Sequence, residues 1–556
     1  MDMLFQSLSP AFIYLAAALV LPLSPNGRVR ALVLLAVPVA AFASFAAMPY
    51  GEYGQIRFLG LALTLFRLDA LSWLFGLAFS IAAFLALLYA LHLRDSVQQA
   101  ATLIYAGAAT GAVFAGDLVT LFIFWEATAL SSVLLIWAKG GEASYKAGMR
   151  YLVVQVGSGV LLFAGLAMLW RETGSLAFEA MTLESLATWT ILAAFAIKAA
   201  FPLLGGWLAD AYPRSTVTGA VTLAAFTTKL AIYALARGFP GCDILIPVGV
   251  AMALLPLPYA LGADDLRKSL AYLLNSQLGF MVVGIGIGTP LAINGAVGHA
   301  FAHIIYDGLM FMALGAVLAG AGTIKESELG GLCKTMPWTA GFILIGALSF
   351  AALPLTSGFV TKSLTFSAAT PLVQDLLYAA SAGVFMAAVM KTGRVFFTGT
   401  PVISAEAPLA MRFAMGLSAL LSLGIGLVPG LLYRLLPFDT PYQPYSLHPV
   451  LMQLLASGAG CLIWLALAKL GWLPHELPGM PWLCRKAGTT GAAIADAAKR
   501  PWARFARWRK RLLDTGLSRT FRMAGPDGPL ARTLPVGSMA LWVVVLLGVT
   551  LLLTYL

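Results

Sequence analysis

Residues 194–237, AFAIKAAFPLLGGWLADAYPRSTVTGAVTLAAFTTKLAIYALAR, contain an apolar helix that meets a proline and two glycines, and the rest of the fold follows from this segment. Lys198 lies four residues before Pro202, and Lys229 follows in the next apolar segment. Proline inside a helix removes a backbone donor and clashes with the preceding turn, so we expect this helix to break. At membrane depth such a break persists only where it is buried in protein or lines a wet cavity. Because a lysine at that depth costs about 2.5–3.5 kcal/mol, the pattern indicates an ion or proton path.

The composition of the chain places it in a membrane. Of its 556 residues, 60% are hydrophobic and only 11% are charged, whereas soluble domains carry about 25% charged residues. Apolar stretches of roughly 20 residues, the length that a bilayer requires, recur along the whole sequence. We therefore expect an all-α polytopic membrane protein whose sixteen spans cover residues 8–24, 28–48, 68–92, 99–116, 118–137, 146–170, 186–208, 215–236, 243–262, 266–288, 291–320, 337–362, 374–398, 408–430, 447–470 and 537–556.

The connections between spans carry two predictions. Residues 50–67 alternate loosely in hydropathy, which predicts a short hairpin or a surface turn. Twelve lysines and arginines lie in the odd-numbered connections before the C-terminal tail, and five lie in the even-numbered ones. Because cytoplasmic loops are rich in basic residues, we expect the odd-numbered connections in the cytoplasm and both termini outside it, in a bacterial-type inner (plasma) membrane.

Charge and cysteine usage exclude several classes of partner. The net charge is +11, and its largest block lies in residues 485–522, between the last two spans. A basic segment beside a span is typical of contact with anionic lipid, so we expect lipid rather than nucleic acid there. We expect no metal, no cofactor and no redox centre, because the four cysteines lack the paired spacing of such sites: Cys242, Cys333, Cys461 and Cys484.

The broken-helix pattern occurs twice along the chain. Its residues are Lys198, Pro202 and Lys229 in the first copy and Pro354, Gly358, Lys362 and Lys391 in the second. Five spans separate the two copies, and because five is odd a five-helix repeat must be inverted. Paired interrupted spans in two halves are typical of the transport path of inverted-repeat carriers. The alternative is that glycine and proline are simply common in membrane helices.

Eight ionisable residues fall inside the predicted spans and are candidates for an ion or proton path: Glu126, Lys198, Lys229, His299, His303, Asp307, Lys362 and Lys391. Glu126 has no other charged residue within eight positions on either side. It is either a protonated acid that is hydrogen-bonded within the bundle or a partner that holds Lys198 protonated until the two separate. The second alternative describes a proton switch.

His299, His303 and Asp307 stand at i, i+4 and i+8, on one face of one predicted helix. Two histidines and a carboxylate can bind a metal, but the helix lacks the HExxH arrangement. Imidazoles titrate near neutral pH, so a proton wire suits this apolar span better, and packing histidines are the third alternative.

Two other polar segments look structural. The NSQ segment, residues 275–277, can hydrogen-bond between helices or hold water, and the sequence does not separate these roles. The DDLRK segment, residues 264–268, is a cluster of loop charges that we expect to be solvated.

Seven segments resemble those of one known family and follow its order along the chain: FIFWEATALSSVLLIW (122–137), IKAAFPLLGGWLADAYP (197–213), TTKLAIYALAR (227–237), DDLRKSLAYLLNSQLG (264–279), HAFAHIIYD (299–307), KESELGGLCKTMP (325–337) and LPLTSGFVTK (353–362). The family is that of the antiporter-like subunits shared by respiratory complex I and the Mrp-type multisubunit monovalent cation/proton antiporters. The sequence looks closest to the Mrp D subunit.

The resemblance implies fourteen core helices with two inverted five-helix repeats, in which helices 7 and 12 are broken. It also implies roles for individual residues: Glu126 and Lys198 form the ion-pair switch of helices 5 and 7, Lys229 is the bridging lysine of helix 8, His299 and His303 are the helix-11 histidines, and Lys362 is the helix-12 lysine near the exit. The family's central helix-11 lysine is replaced by Asp307, which reverses the local charge. The ion or proton path that the resemblance implies therefore has changed proton affinities, carries a different ion or is blocked.

On this basis the chain divides into six parts, with about sixteen helices in total. We assign residues 1–98 to helices 1–3, 99–240 to the first repeat (helices 4–8), 241–400 to the inverted second repeat (helices 9–13), 401–475 to C-terminal helices, 476–535 to a basic amphipathic lateral segment and 536–556 to a terminal anchor. The last two resemble in layout the lateral helix and anchor of the largest complex I antiporter-like subunit.

The function that we expect is proton and monovalent cation translocation, most simply Na+/H+ exchange, by one subunit of a larger antiporter. The sequence has no nucleophile elbow or phosphate-binding loop, so it indicates a transporter rather than an enzyme, with related membrane subunits as partners. One alternative is a proton-pumping module of a complex I-related oxidoreductase or a carbon-uptake complex. The other is a structural paralogue that does not conduct, with Asp307 as the lesion.

Overall fold

A computed structural model of the chain describes residues 9–21, 27–58, 60–439 and 441–471. Within these ranges eleven helices are long and apolar enough to cross a membrane. Four further predicted spans appear as Ala11–Val20, Ser96–Val113 and two interrupted helices. The first fifteen predicted spans are therefore confirmed as helical. The sixteenth span and the basic block at residues 485–522 lie outside the described residues.

The described elements, in chain order, are α1 (Ala11–Val20), α2 (Arg28–Ala46), β1 (Gly51–Phe58), β2 (Leu61–Leu68), α3 (Ala70–Tyr89), α4 (Ser96–Val113), α5 (Leu118–Trp137), α6 (Gly141–Thr173), α7 (Leu186–Lys198), α8 (Gly206–Ala211), α9 (Val217–Gly238), α10 (Leu245–Leu254), α11 (Leu257–Gly262), α12 (Leu266–Ile287), α13 (Pro290–Ala321), α14 (Pro337–Phe350), α15 (Ser357–Ala368), α16 (Pro371–Phe385), α17 (Lys391–Phe397), α18 (Leu409–Leu427), α19 (Gly430–Tyr433) and α20 (Leu447–Lys469). A π-helical turn, Met386–Met390, joins α16 to α17. The interrupted helices are α7 with α8 and α14 with α15.

The predicted hairpin is confirmed. Strands β1 and β2 pair antiparallel, with Gly51 opposite Leu68 at the open end. The backbone N–H of Thr64 donates to Asp117 Oδ2 at 2.8 Å, and Asp117 Oδ1 accepts from the N–H of Thr120 at 2.7 Å. One carboxylate thus caps the first turn of α5 and fastens the hairpin to it, which sets where α5, the helix of Glu126, begins.

Helices α9, α12 and α13 form the centre of the bundle. Every residue in the most apolar part of α9 is buried, as are 94% in α12 and 72% in α13, whereas the share is 22% for α20 at the periphery. These central helices carry Lys229, the NSQ segment and the histidine face. Their polar side chains therefore face protein instead of lipid, as the cost of exposing charge to hydrocarbon requires.

The expectation that the DDLRK segment is solvated is wrong for Arg267, which is 1% exposed. Its guanidinium donates to the carbonyl oxygens of Tyr212 at 3.0 Å, Ser215 at 3.2 Å and Thr216 at 3.2 Å. These carbonyls belong to the connection between α8 and α9, where the helical ladder is interrupted and backbone acceptors need donors. Arginine has five donors in a fixed geometry, so one buried side chain satisfies several acceptors at once.

Candidate functional site

The two interrupted helices break at the predicted prolines with the same backbone geometry. Ala200 and Leu203 flank Pro202 with φ of 59° and 67°, and Ala352 and Leu355 flank Pro354 with φ of 53° and 71°. These four are the non-glycine residues with positive φ within the described ranges. Both sites have the sequence Ala-X-Pro-Leu. A left-handed conformation is uncommon for residues with a side chain, so its recurrence at matched positions identifies one structural motif used twice.

The hydrogen bonds at the two breaks match as well. The N–H groups of Ala200 and Phe201 donate to Ile197 O at 3.2 Å and Ala196 O at 3.0 Å. The N–H groups of the equivalent residues 352 and 353 donate to the carbonyls of 349 and 348, at 3.1 Å and 3.0 Å. This pair of bonds is a Schellman termination with alanine at the left-handed position. Each break is therefore a capped helix end, followed by a proline that prevents the helix from continuing.

Glycines let the two halves of each broken helix approach closely. A Cβ atom on Gly358 would lie 1.9 Å from Ser349 O, and one on Gly205 would lie 2.8 Å from Ala200 O. Gly358, which the sequence pointed to as part of the break, is thus required where the second half of the helix passes the end of the first half.

Lys198 is the last residue of α7, immediately before the first break, and is fully buried. Its Nζ donates to Trp125 O at 2.9 Å and to Thr128 Oγ1 at 2.8 Å, and lies 4.2 Å from the Trp125 ring centroid. A cation at the C-terminal end of a helix also interacts favourably with the helix dipole. The ammonium is therefore held by neutral groups of α5 and by the end of its own helix.

Glu126 is half-buried on α5, next in sequence to Trp125. Its Oε1 atom has no hydrogen-bond partner in the described part of the chain. A Cβ atom on Gly159 would lie 1.5 Å from that oxygen, so the carboxylate packs directly against α6. Lys198 donates to Trp125 and Thr128 and not to Glu126, so the ion pair that the family resemblance implies is not formed in this conformation.

Lys229 and Asp307 form a buried ion pair at the centre of the bundle. Lys229 Nζ lies 3.1 Å from Asp307 Oδ2, and the two side chains are 0% and 1% exposed. His303 Nδ1 lies 3.9 Å from the same oxygen, one helical turn earlier on α13. Neither ring nitrogen of His303 has a hydrogen-bond partner among the described residues. A neutral imidazole has one N–H donor and one acceptor nitrogen, and the described residues fill neither of these sites in His303.

His299 continues this line toward the second break. Its Nδ1 atom lies 3.0 Å from Thr361 Oγ1 on α15, and its Nε2 atom lies 3.3 Å from Tyr306 OH. The next residue on α15, Lys362, donates from Nζ to Phe350 O at 3.0 Å, the carbonyl at the end of α14. The sequence-predicted residues from Lys229 to Lys362 are thus brought into one buried line.

Lys391 is buried but lies elsewhere. Its Nζ donates to the carbonyl oxygens of Ala260 at 2.9 Å, Leu261 at 2.9 Å and Ala263 at 2.5 Å, at the end of α11, and lies 3.4 Å from Glu326. These contacts join α17 to the ends of the loops before α12 and after α13. The structure therefore places Lys391 with connecting loops instead of with Lys362.

Sequence reasoning missed the neutral partners that hold these charges. Trp125 and Thr128 position Lys198, while Tyr306 and Thr361 position His299. Trp125 and Thr128 lie within three residues of Glu126, so their proximity to the first break could have been inferred from helical spacing. Thr361 is adjacent to Lys362, but its contact with a helix 62 residues away depends on packing.

Comparison with known proteins agrees with this architecture. The family described as NADH:quinone oxidoreductase/Mrp antiporter, TM, matches residues 115–390. The D subunit of the Na(+)/H(+) antiporter of Alkalihalophilus pseudofirmus is 34% identical over 272 residues, which are 45% of this chain and 55% of that protein. The N subunit of the NADH-quinone oxidoreductase of Desulforudis audaxviator is 33% identical over 268 residues, 44% of this chain and 53% of that protein. The chain spans about half the length of the curated relatives it matches.

A solved structure shares the fold. A chain in the structure of the Mrp complex from Dietzia sp. DQ12-45-1b aligns with a TM-score of 0.70 and 21% identity, over 84% of this chain and 98% of that chain. The fold and the site together define a mostly helical polytopic membrane protein with two broken helices beside an internal line of ionisable groups. The chain belongs to the NADH:quinone oxidoreductase/Mrp antiporter transmembrane family.

Proposed function

We propose that this chain is a subunit of a multisubunit membrane antiporter and that it translocates protons and monovalent cations, most simply in Na+/H+ exchange. The observation that carries the proposal is the buried line from Lys229 through Asp307, His303 and His299 to Lys362. Ionisable groups are costly inside a membrane protein and mark ion or proton pathways. The relative named as the D subunit of a Na(+)/H(+) antiporter supports the choice of reaction.

In the proposed mechanism, protons pass along a relay in the order Glu126, Lys198, Lys229, Asp307, His303 and His299, toward Lys362 or, at the connecting loops, Lys391. The first step is a switch at Lys198. Its ammonium rests on neutral acceptors of α5, and Glu126 lies on the same helix one residue from Trp125. Movement of the ammonium toward that carboxylate exchanges two neutral hydrogen bonds for an ion pair, which favours the protonated lysine. Separation of the pair favours release of the proton.

The setting of the subunit follows from the same proposal. We expect it to assemble with other antiporter or complex I-like membrane subunits in a bacterial-type inner membrane, with both termini outside the cytoplasm. The basic block at residues 485–522 would then contact anionic lipid on the cytoplasmic side. The two five-helix units would be related as inverted repeats, which the matched breaks at Pro202 and Pro354 support.

A second candidate is a proton-pumping module attached to a redox complex. The relative named as the N subunit of an NADH-quinone oxidoreductase favours it, because its identity and coverage nearly equal those of the antiporter relative. Purifying the intact complex separates the two candidates: co-purifying iron–sulfur subunits would identify the redox module, and small membrane subunits alone would identify the antiporter. The third candidate, a non-conducting paralogue, predicts that Asp307→Lys gives a large gain of transport.

The test is dye-monitored proton/cation exchange in vesicles that hold the complete complex. We expect Lys198→Ala and Glu126→Gln each to lower the exchange rate by about tenfold or more, the scale of a lost proton-transfer group. Lys146→Ala is the matched control, because Lys146 is exposed and pairs with exposed Glu142 one turn away. Exchange that persists unchanged in both relay variants would contradict the conducting function.

A further inference from the structure

Three arginines line one cavity at an end of the bundle. The cavity has a volume of about 330 Å³ and lies between the start of α2 and the connection from α3 to α4. Its lining includes Arg28 and Arg30 from the first turn of α2, Arg94 from the connection and Gln99 from α4. None of its lining residues within the described ranges is acidic. We call it the arginine cavity.

The start of α2 attracts an anion by itself. The helix begins at Arg28, and its N-cap residue is Gly27, which has no side chain to cap the first backbone N–H groups. These N–H groups and the helix dipole place a partial positive charge at this end. Arg28 and Arg30 add two cations where the dipole already disfavours them. An anion bound here would offset the dipole and the arginines together.

Asp95, the residue after Arg94, does not supply that anion. Its Oδ1 atom accepts from the backbone N–H groups of Val97 at 2.9 Å and Gln98 at 3.2 Å, and its Oδ2 atom accepts from Gln98 Nε2 at 2.7 Å. Both oxygens are therefore committed to capping α4. The positive charge of the arginine cavity is left for a ligand.

Gln99 adds a second requirement to the ligand. The residue is 6% exposed, and its Nε2 atom donates to Leu93 O at 3.0 Å. The other polar atom of the side chain, Oε1, is buried and has no hydrogen-bond partner in the described part of the chain. A buried amide oxygen without a donor is costly. The cavity therefore suits a ligand that carries a hydroxyl donor as well as a negative charge.

The surroundings of the cavity favour a membrane lipid as the source of this ligand. Helix α2 is long and apolar enough to span a membrane, and only 33% of its most apolar part is buried. Val29 and Leu32, beside the arginines, are 58% and 68% exposed, so acyl chains can lie along this face. The two connections that meet at the cavity are among the odd-numbered ones that basic residues predict to be cytoplasmic. Anionic phospholipid headgroups lie at this level of that leaflet.

We propose that the arginine cavity binds an anionic phospholipid whose headgroup carries hydroxyl groups, of the phosphatidylglycerol type. Arg28, Arg30 and Arg94 bind the phosphate through charge-assisted hydrogen bonds, for which the guanidinium geometry is well suited. A headgroup hydroxyl donates to Gln99 Oε1. This site is separate from the basic block at residues 485–522, and no group of the ion relay takes part in it.

The test uses trace photoreactive phosphatidylglycerol in phosphatidylcholine vesicles that hold the intact complex, and it measures labelling of the first two turns of α2 against unlabelled competitors. Arg28→Gln and Arg94→Gln should each raise the half-competing concentration of phosphatidylglycerol by about tenfold or more, the scale of one lost hydrogen bond to a charged group. Both side chains are exposed, so neither substitution opens the core. Lys146→Gln, the matched control, removes an exposed positive charge from another odd-numbered connection and should stay within about twofold of wild type.

Phosphatidylmethanol tests the hydroxyl contact, because it has the same charge as phosphatidylglycerol but no headgroup hydroxyl. The wild-type protein should prefer phosphatidylglycerol by about fivefold, the scale of one hydrogen bond to a buried acceptor. Gln99→Met, which lacks the amide oxygen, should bind the two lipids equally. Equal competition by the two lipids in the wild-type protein would refute the hydroxyl contact.

Three other results would overturn the site. Wild-type competition curves in both arginine variants would show that the arginines bind no lipid. Competition by inorganic phosphate at the same concentrations as phosphatidylglycerol would assign the cavity to free phosphate instead of a lipid. Absence of α2 labelling in the intact complex would show that another subunit covers the cavity. Each of these results leaves the proposed transport function standing, because the ion relay is a different set of residues.

Discussion

The two broken helices have the same backbone geometry at the break, but their lysines make different contacts. At the first break, Ile197 O near the end of α7 accepts from the indole Nε1 of Trp207, at 3.1 Å. At the second, the carbonyl oxygen at the end of α14, Phe350 O, accepts from Lys362 Nζ at 3.0 Å. At the first break an uncharged side chain donates to the end of the helix, and Lys198 contacts α5 instead. At the second break Lys362 itself donates to the end of the helix.

This difference bears on which lysine can move. Lys198 can leave its acceptors without disturbing the break, because Trp207 remains in place and Thr128 still donates to Trp125 O at 2.7 Å. Movement of Lys362 instead leaves a terminal carbonyl without its donor. A lysine that moves therefore suits the first break, and a lysine that stays in place suits the second.

The largest expected effect compares the glycines at the two breaks. Gly358→Ala should lower the free energy of unfolding by about 3 kcal/mol or more, and Gly205→Ala by about 1 kcal/mol, because overpacking costs rise as the overlap grows. The added Cβ atoms would lie 1.9 Å and 2.8 Å from backbone oxygens. Thermal unfolding of the purified protein in detergent measures both. Gly341→Ala is the control, with no atom within 4 Å of the new Cβ, and equal losses at all three sites would contradict the prediction.

The next effect separates the two lysines. Lys362→Met should be less stable than Lys198→Met by about 1–3 kcal/mol, the cost of leaving a buried acceptor without its donor. Methionine keeps most of the apolar stem in both variants, and relief of the buried charge is common to both, so it cancels in the comparison. Unfolding midpoints of the two proteins, taken side by side, give the difference. Identical midpoints would show that Lys362 does not support the break.

The smallest effect tests whether the backbones are equivalent. Leu203 and Leu355 have positive φ and are 61% and 55% exposed, so replacing them removes little burial. Leu203→Gly and Leu355→Gly should each raise the free energy of unfolding by less than about 1 kcal/mol, since relief of left-handed strain exceeds the entropy that glycine adds to the unfolded chain. Opposite signs at the two sites, in the same unfolding assay, would show that the breaks are different structures.

Much of this architecture is predictable from sequence because local chemistry decides it. Proline cannot extend a helix, so Pro202 and Pro354 mark the two breaks without any knowledge of the fold. His299, His303 and Asp307 share a face because an α-helix repeats every 3.6 residues, and all three are buried on that face of α13. The prediction that the charges around Arg267 are solvated is wrong for Arg267 itself, because the sequence shows its charge but not the backbone carbonyls to which it donates.

Contacts between segments distant in sequence cannot be predicted in this way. The carbonyl partners of Lys391 lie 128–131 residues away, and Tyr105 meets Thr227 across 122 residues. Isolated tyrosines and threonines in apolar helices carry no signal, because they are common there and bond equally well to their own backbone.

The membrane class, the first fifteen spans, the two breaks and the ionisable residues inside the spans follow from the sequence, because hydropathy, proline geometry and the cost of buried charge act on each segment separately. Only the tertiary structure decided which groups meet: Lys229 with Asp307, Lys198 with Thr128 instead of Glu126, and Lys391 with the loops. The reason is that a hydrogen bond or ion pair forms within a few ångströms, and helix packing alone sets which side chains come that close.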